Sequence, residues 1–87
     1  MNTYRYTLPF FGHKYPEDAI EYKSKEKLND HNLSYLVDDF WGNHDGWEYN
    51  WPLTFDIWDD DDNFIGRYSI EMEAEPLFYC AKLPDPL

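Results

Sequence analysis

Leu53-Thr54-Phe55-Asp56-Ile57-Trp58-Asp59-Asp60-Asp61-Asp62-Asn63, followed shortly by Arg67-Tyr68-Ser69-Ile70-Glu71-Met72-Glu73, carries the pattern that decides the fold. Leu53, Phe55 and Ile57 alternate with Thr54, Asp56 and Trp58, and Tyr68, Ile70 and Met72 alternate with Arg67, Ser69, Glu71 and Glu73. A period of two sends successive side chains to opposite faces of a strand, so each run reads as a strand with one apolar and one polar face. The polar turn Asp59 to Asn63 joins them as an antiparallel hairpin.

Further strands flank this hairpin. Leu77, Tyr79, Ala81 and Leu83 alternate with Phe78, Cys80 and Lys82 in a last strand, separated from the hairpin by Pro76 and closed by Pro84 and Pro86. Near the start, Tyr4, Tyr6 and Leu8 alternate with Thr3, Arg5 and Thr7 in a strand from Thr3 to Phe10, ended by Pro9 and Gly12. Ala19 to Lys23 reads as a second strand, although Pro16-Glu17-Asp18 before it would also suit the first turn of a helix. Between these strands and the hairpin, Leu33, Leu36, Val37, Phe40 and Trp41 recur at helical spacing. With Ser24 as N-cap and Gly42 at the C-terminus, a helix is expected from about 25 to about 41, with an interruption near Asn29 to Asn32. The stretch from Gly42 to Pro52 reads as a loop. The expected fold is α+β: a mostly antiparallel sheet of four or five strands in the order β-β-α-β-β-β, with one helix packed on one face and the other face wet. Asp56, Trp58, Glu71 and Glu73 should share that second face.

Eighty-seven residues are enough for one domain, residues 1–87, and too few for two. At 43% hydrophobic and 21% aromatic, the chain has the apolar mass that acidic disordered tails lack. Cys80 is the only cysteine, which excludes an intramolecular disulfide. The first residues lack a basic-then-apolar leader and no run approaches a membrane span, so the expected location is the cytoplasm of a bacterial host cell, with no membrane partner. The net charge is −11, and it is lopsided. Residues 1–28 hold five Lys/Arg and four Asp/Glu, whereas the remainder hold two and fourteen. Such a field repels nucleic acid and anionic membranes and attracts basic surfaces.

Several chemistries lack their residues. An EF-hand begun at Asp59 places Phe64 where the sharp-turn glycine belongs and Ile70 where the bidentate glutamate belongs. His13, His31, His44 and Cys80 are too scattered for a zinc site. His44-Asp45 has no serine or cysteine nucleophile beside it, and Asn43 to Gly46 reads better as turn chemistry. The four glycines never cluster as a phosphate-binding loop. No metal, cofactor or catalytic residue is expected, and the chain should not be an enzyme. Its aromatics lack the basic groove that single-strand binders pair with them, which argues against direct nucleic-acid binding.

What remains is an acidic and aromatic surface. Asp38 and Asp39 near the helix end, Asp45, Trp47 and Glu48 in the loop, Asp59, Asp60, Asp61 and Asp62 in the turn, and Glu71, Glu73 and Glu75 in the strand are the candidate partner-binding residues. Spaced carboxylates imitate phosphates and can occupy a Lys/Arg groove, while interleaved tryptophans supply anchors. The alternative is a solvated shell of charge over core tryptophans.

The segment Phe40-Trp41-Gly42-Asn43-His44-Asp45-Gly46-Trp47-Glu48, with Trp51-Pro52-Leu53, resembles small uncharacterised phage and prophage proteins that carry a similar H-D-G-W-E and W-P loop between a helix and a hairpin. The resemblance covers about half the chain and implies a mobile-element origin but no activity. In size and acidity the chain is also similar to phage inhibitors of host defence, such as anti-CRISPR and anti-restriction proteins. The expected function is therefore a stoichiometric inhibitor that docks an acidic surface on a basic nucleic-acid-binding host protein or complex, with CRISPR effectors the first candidates. The alternatives are an interaction module anchored by Trp41, Trp47, Trp51 and Trp58, such as an antitoxin, immunity protein or phage assembly factor, and, ranked last, a small hydrolase or sugar-binding module.

Overall fold

The computed structural model describes residues 2–29, 32–74 and 77–84, so Glu75, the expected break at Pro76, His31 and Pro86 lie outside the described residues. Five strands, β1 (Asn2–Thr7), β2 (Ile20–Ser24), β3 (Leu53–Trp58), β4 (Phe64–Ala74) and β5 (Leu77–Leu83), form one sheet in the order β2-β1-β3-β4-β5. Every pairing is antiparallel. One helix, α1 (Ser34–Asn43), lies across one face, as the α+β reading requires. No helix among the described residues is long and apolar enough to cross a membrane.

The alternation read from the sequence builds the core. Tyr4, Tyr6, Leu53, Phe55, Ile57, Tyr68, Ile70 and Phe78 all turn to the face that α1 covers with Leu36, Val37 and Phe40. Phe40 meets Tyr6 and Phe55 edge-on, with centroids 6.1 and 5.3 Å away, while Tyr6 and Phe55 stack at 5.2 Å. Burial of the Phe40 and Phe55 rings is worth roughly 2–3 kcal/mol each, whereas the gain from Tyr6 is offset by its buried hydroxyl, which has no hydrogen-bond partner among the described residues. α1 enters near the β3–β4 turn, where Leu33 and Leu28 line a small gap with Ile57 and Tyr68. It leaves at the opposite end of the sheet, where Trp41 and Trp51 reach Phe78 at 5.7 and 4.9 Å.

Two expectations need correction. The helix does not start at residue 25, and Ser24 is not its cap: Ser24 ends β2, and its Oγ accepts from the Glu26 N–H and donates to the Glu26 carbonyl. Asn29 and Asn32 then exchange side-chain bonds with each other's backbone N–H groups, and Asn32 Nδ2 donates to the Lys27 carbonyl. Side chains that satisfy the backbone locally compete with helix formation, so the helix waits until Ser34. At its far end Gly42 stays helical, and the left-handed residue is Asp45, with φ 58°.

The second correction concerns the face away from α1, which is only partly wet. β1 stops at Thr7, a 3-10 turn follows at Pro9–Phe11, and the chain then crosses this face. Tyr15 stacks on Trp58 at 3.9 Å, and Phe10 lies 5.5 Å from the Arg67 guanidinium. Asp56, expected among the solvated acids, is buried beneath this cover in a bidentate pair with Arg67, at 2.7 and 2.8 Å. That bond raises the Arg67 pKa further.

Candidate functional site

The candidate acids are divided between two ends of the sheet. β4 is eleven residues long, so at about 3.3 Å per residue its ends stand roughly 30 Å apart. Asp59 to Asp62 lie at the turn end, and Glu71 and Glu73 at the other.

The turn end is largely self-satisfied. Asp59 Oδ1 accepts from the backbone N–H groups of Asp61 and Asn63, and Oδ2 from Asn63 Nδ2. The bond from the Asn63 backbone, the strongest influence, helps hold the Asp59 carboxyl below its ordinary value. Asp62, in the left-handed region at φ 62°, accepts from the Tyr15 hydroxyl and lies 3.6 Å from Arg5. This bond to Asp62 is also the main reason the Tyr15 pKa rises. Asp60 and Asp61 are exposed, but they share a polar cleft of about 230 Å³ with Asn2, Thr3 and Lys27. Four consecutive aspartates are thus two turn-building residues and two beside a lysine. Among the described residues, no group of three or more His, Cys, Asp or Glu side chains is arranged to hold a metal ion.

The opposite end has another character. β3 begins at Leu53, paired with Ile70, so β4 beyond Ile70 is flanked by β5 alone. This two-stranded overhang would be marginal by itself. On the α1 side it is backed by Phe78 against Trp51 and Trp41, with Met72 packed on the core. On the other side Glu71 stands opposite Tyr79, with Leu77 beyond. Tyr79 is 58% and Leu77 52% exposed. Glu73 beside the Tyr79 hydroxyl raises its pKa, which places a carboxylate and an aromatic ring side by side.

The connection after α1 closes on the same end. Asp45 turns the chain and a 3-10 turn, Gly46–Glu48, follows. Gly46 is buried so tightly that a Cβ would stand 2.7 Å from both Phe40 Cδ2 and Trp41 Cα, and its carbonyl accepts from Trp51 Nε1 at 3.2 Å. With Gly46 pinned, Trp47 is turned outward, 57% exposed, between the exposed carboxylates of Asp45 and Glu48. Phe11, also exposed, meets Tyr49 at 5.3 Å. The four tryptophans therefore divide. Trp41 and Trp51 pack on the core, Trp58 lies between Tyr15 and Phe64, and Trp47 is the one with an exposed indole.

Asp38 and Asp39 lie on α1 rather than with this group. Asp39 accepts from Asn43 Nδ2 at 2.9 Å, and its Oδ2 sits 3.5 Å from His44 Nε2 without a hydrogen bond. His44 therefore turns to Asp39, not to Asp45. Asp38 is exposed, with its carboxyl raised by partial burial.

Positive charge sorts the two ends. Arg5 reaches Glu21 and Asp62, Lys23 reaches Glu21, Lys27 lines the cleft of Asp59, and Lys82 pairs in register with Tyr68. Arg67 is spent on Asp56. Asp45, Glu48, Glu71 and Glu73 have no ion pair among the described residues. Of the candidates named from sequence, the structure brings Asp45, Trp47, Glu48, Glu71 and Glu73 to one end, and Phe11, Leu77 and Tyr79 join them. Surface exposure of these three could not be read from an alternation that also fits core residues. Searched against protein-family models, curated proteins and solved structures, the chain matches none.

Proposed function

We propose that this chain is a non-catalytic binding protein that docks the end carrying Asp45, Trp47, Glu48, Glu71 and Glu73 on a basic, nucleic-acid-binding surface of another protein and so excludes DNA or RNA. The observation that carries this reading is that four carboxylates without an ion pair among the described residues and an exposed indole lie at one end of the sheet, Asp45, Trp47 and Glu48 in the loop on the α1 side and Glu71 and Glu73 on the other face, remote from most of the lysines. A desolvated aromatic supplies the anchor, and the carboxylates supply steering and the exchange of salt-sensitive phosphate contacts for contacts with themselves. The partner class is a bacterial defence complex with a positively charged guide or target channel, and CRISPR effectors are the first to test. In that setting the protein acts in the bacterial cytoplasm.

The test is competition. Purified CRISPR effector ribonucleoproteins are titrated with this chain in the presence of labelled target DNA at 50 and 300 mM salt. DNA is displaced at low salt, displacement weakens at high salt, and Asp45→Lys with Glu48→Lys lowers the apparent affinity at least tenfold, whereas Asp60→Lys with Asp61→Lys changes it little. No displacement from any effector, or displacement indifferent to salt and to the Asp45/Glu48 reversal, overturns the reading. The exposure of Trp47 supports a second reading, an interaction module held by that indole alone. It is distinguished by partner binding that survives salt and is lost in Trp47→Ala.

A further inference from the structure

The two edges of the sheet are built differently. β2 has five residues, carries Glu21 and Lys23, and leads into Lys25 and Lys27. Short length and charge are how natural sheets keep an edge from pairing with a stranger. β5 is seven residues long, Leu77-Phe78-Tyr79-Cys80-Ala81-Lys82-Leu83, with one charge. Among the described residues its only sheet neighbour is β4, so every second residue directs its N–H and C=O into open solvent. Leu77, Tyr79 and Ala81 are exposed on the face away from α1. Glu71 and Glu73 lie on the adjacent strand, one strand spacing inward.

From this asymmetry we infer that β5 is a strand-addition site, which takes up an extended, lysine- or arginine-containing segment of a partner protein as a sixth strand. Backbone hydrogen bonds along β5 give affinity, and alternate side chains of the added strand meet Leu77, Tyr79 and Ala81. Long basic side chains on the same face reach across β5 to Glu71 and Glu73. Charge selects this occupant over a second copy: two chains of −11 repel, whereas a basic segment is attracted. The inference rests on the proposal that the partner is basic, and it adds how that partner is held.

The probe is a ten-residue alternating Val-Lys peptide, with two forms N-methylated on alternate residues so that each form blocks one backbone edge. Charge and side chains are the same in all three. The parent peptide slows hydrogen exchange at every second amide of β5 and leaves β2 unchanged. One methylated form, its methyl groups on the outer edge, binds as the parent does, and the other binds at least tenfold more weakly. Equal binding by all three forms, or binding without protection in β5, overturns strand addition while leaving the acidic docking surface standing. Alternate-amide protection in β5 that appears without peptide and grows with protein concentration overturns it in favour of a second copy. An alternating Val-Glu peptide that protects β5 equally overturns the requirement for basic residues.

Discussion

Asp56→Ala removes one half of the most buried ion pair among the described residues. Asp56 Oδ1 and Oδ2 accept from Arg67 Nε and Nη2 at 2.7 and 2.8 Å, and the two side chains are 9% and 23% exposed. Both hydrogen bonds disappear in the variant, and the half-buried Arg67 side chain loses its counter-charge. Breaking buried pairs costs about 3–5 kcal/mol, and the lower figure applies here because Arg67 keeps partial solvent access and the Phe10 ring. At about 4–8 °C per kcal/mol for a chain of this size, the melting temperature falls by roughly 12–24 °C.

The companion variant separates the pair from its burial. Replacing both partners, Asp56→Val with Arg67→Val, leaves no orphaned charge and places two good strand formers opposite each other across β3 and β4. It should recover all but about 1 kcal/mol of the loss. Thermal unfolding followed by circular dichroism on the wild type, both single variants and the Asp56→Ala/Arg67→Ala double variant completes the cycle. A fall below 4 °C for Asp56→Ala, or a coupling energy within about 0.5 kcal/mol of zero, refutes the assignment of this pair as a buried determinant of the fold.

Trp51→Ala, which empties the space among Trp41, Phe55 and Phe78, should cost about 3 kcal/mol, while Trp47→Ala should leave the melting temperature within 2 °C; the reverse order refutes the division of the tryptophans. Gly46→Ala drives a methyl group against the backbone of Trp41 and should cost about 2 kcal/mol, read as a lowered urea midpoint. Asp59 has a lowered folded pKa, so its contribution is present above the ordinary value of 3.8 and is lost as pH falls through the lower folded value. The stability gap between wild type and Asp59→Ala, measured by urea at a series of pH values, should therefore be full at pH 7 and close toward pH 2, and a gap that is constant across that range contradicts it. Burial, and to a smaller degree Asp38, pushes the Cys80 thiol up to about 11, so at pH 8 iodoacetamide should alkylate the folded chain roughly 100-fold more slowly than the chain in urea. A ratio under tenfold would count against that burial.

The strands were legible because their period is a property of the residues themselves. Leu53, Phe55 and Ile57 cannot all be buried in a strand unless Thr54 and Asp56 face the other way, so the sequence sufficed for β3 and for the face each of its residues takes, though not for the register shift against β4 at Ile57 and Trp58. The start of α1 was not legible, because Lys25 to Leu28 are good helix formers, and what stops them is a set of side-chain to backbone bonds from Ser24, Asn29 and Asn32 that helical propensity does not count. The cover of residues 9–19 over the second face was missed for a related reason. Its contacts, Tyr15 on Trp58 and Phe10 on Arg67, join positions far apart in the chain that no local period links. Much the same holds for the candidate site. The acidity of the chain's last two thirds was plain, but whether an aspartate is free depends on neighbours such as Arg5 and Lys27, which the fold brings from the basic first third.

That last dependence explains why the acidic surface is not spread over the whole sheet. Residues 1–28 hold five of the seven Lys/Arg, and the antiparallel pairing of β1 places Arg5 opposite Glu21 of β2 and opposite Trp58 of β3, beside the acidic turn. The overhang of β4 and β5 extends past the end of β3, out of reach of those residues. Being only two strands wide, it has to borrow its rigidity from Trp41 and Trp51 packed behind Phe78. The same Trp51 donates to the Gly46 carbonyl and so fixes the turn that points Trp47 outward. The aromatic cluster thus ties together both halves of the acidic end, the ribbon with Glu71 and Glu73 and the loop with Asp45 and Glu48, as a docking surface of the proposed kind requires. Preorganisation of that kind lowers the entropy lost on binding. It also gives a physical reason for so small a chain to place two tryptophans behind a surface and a third on it.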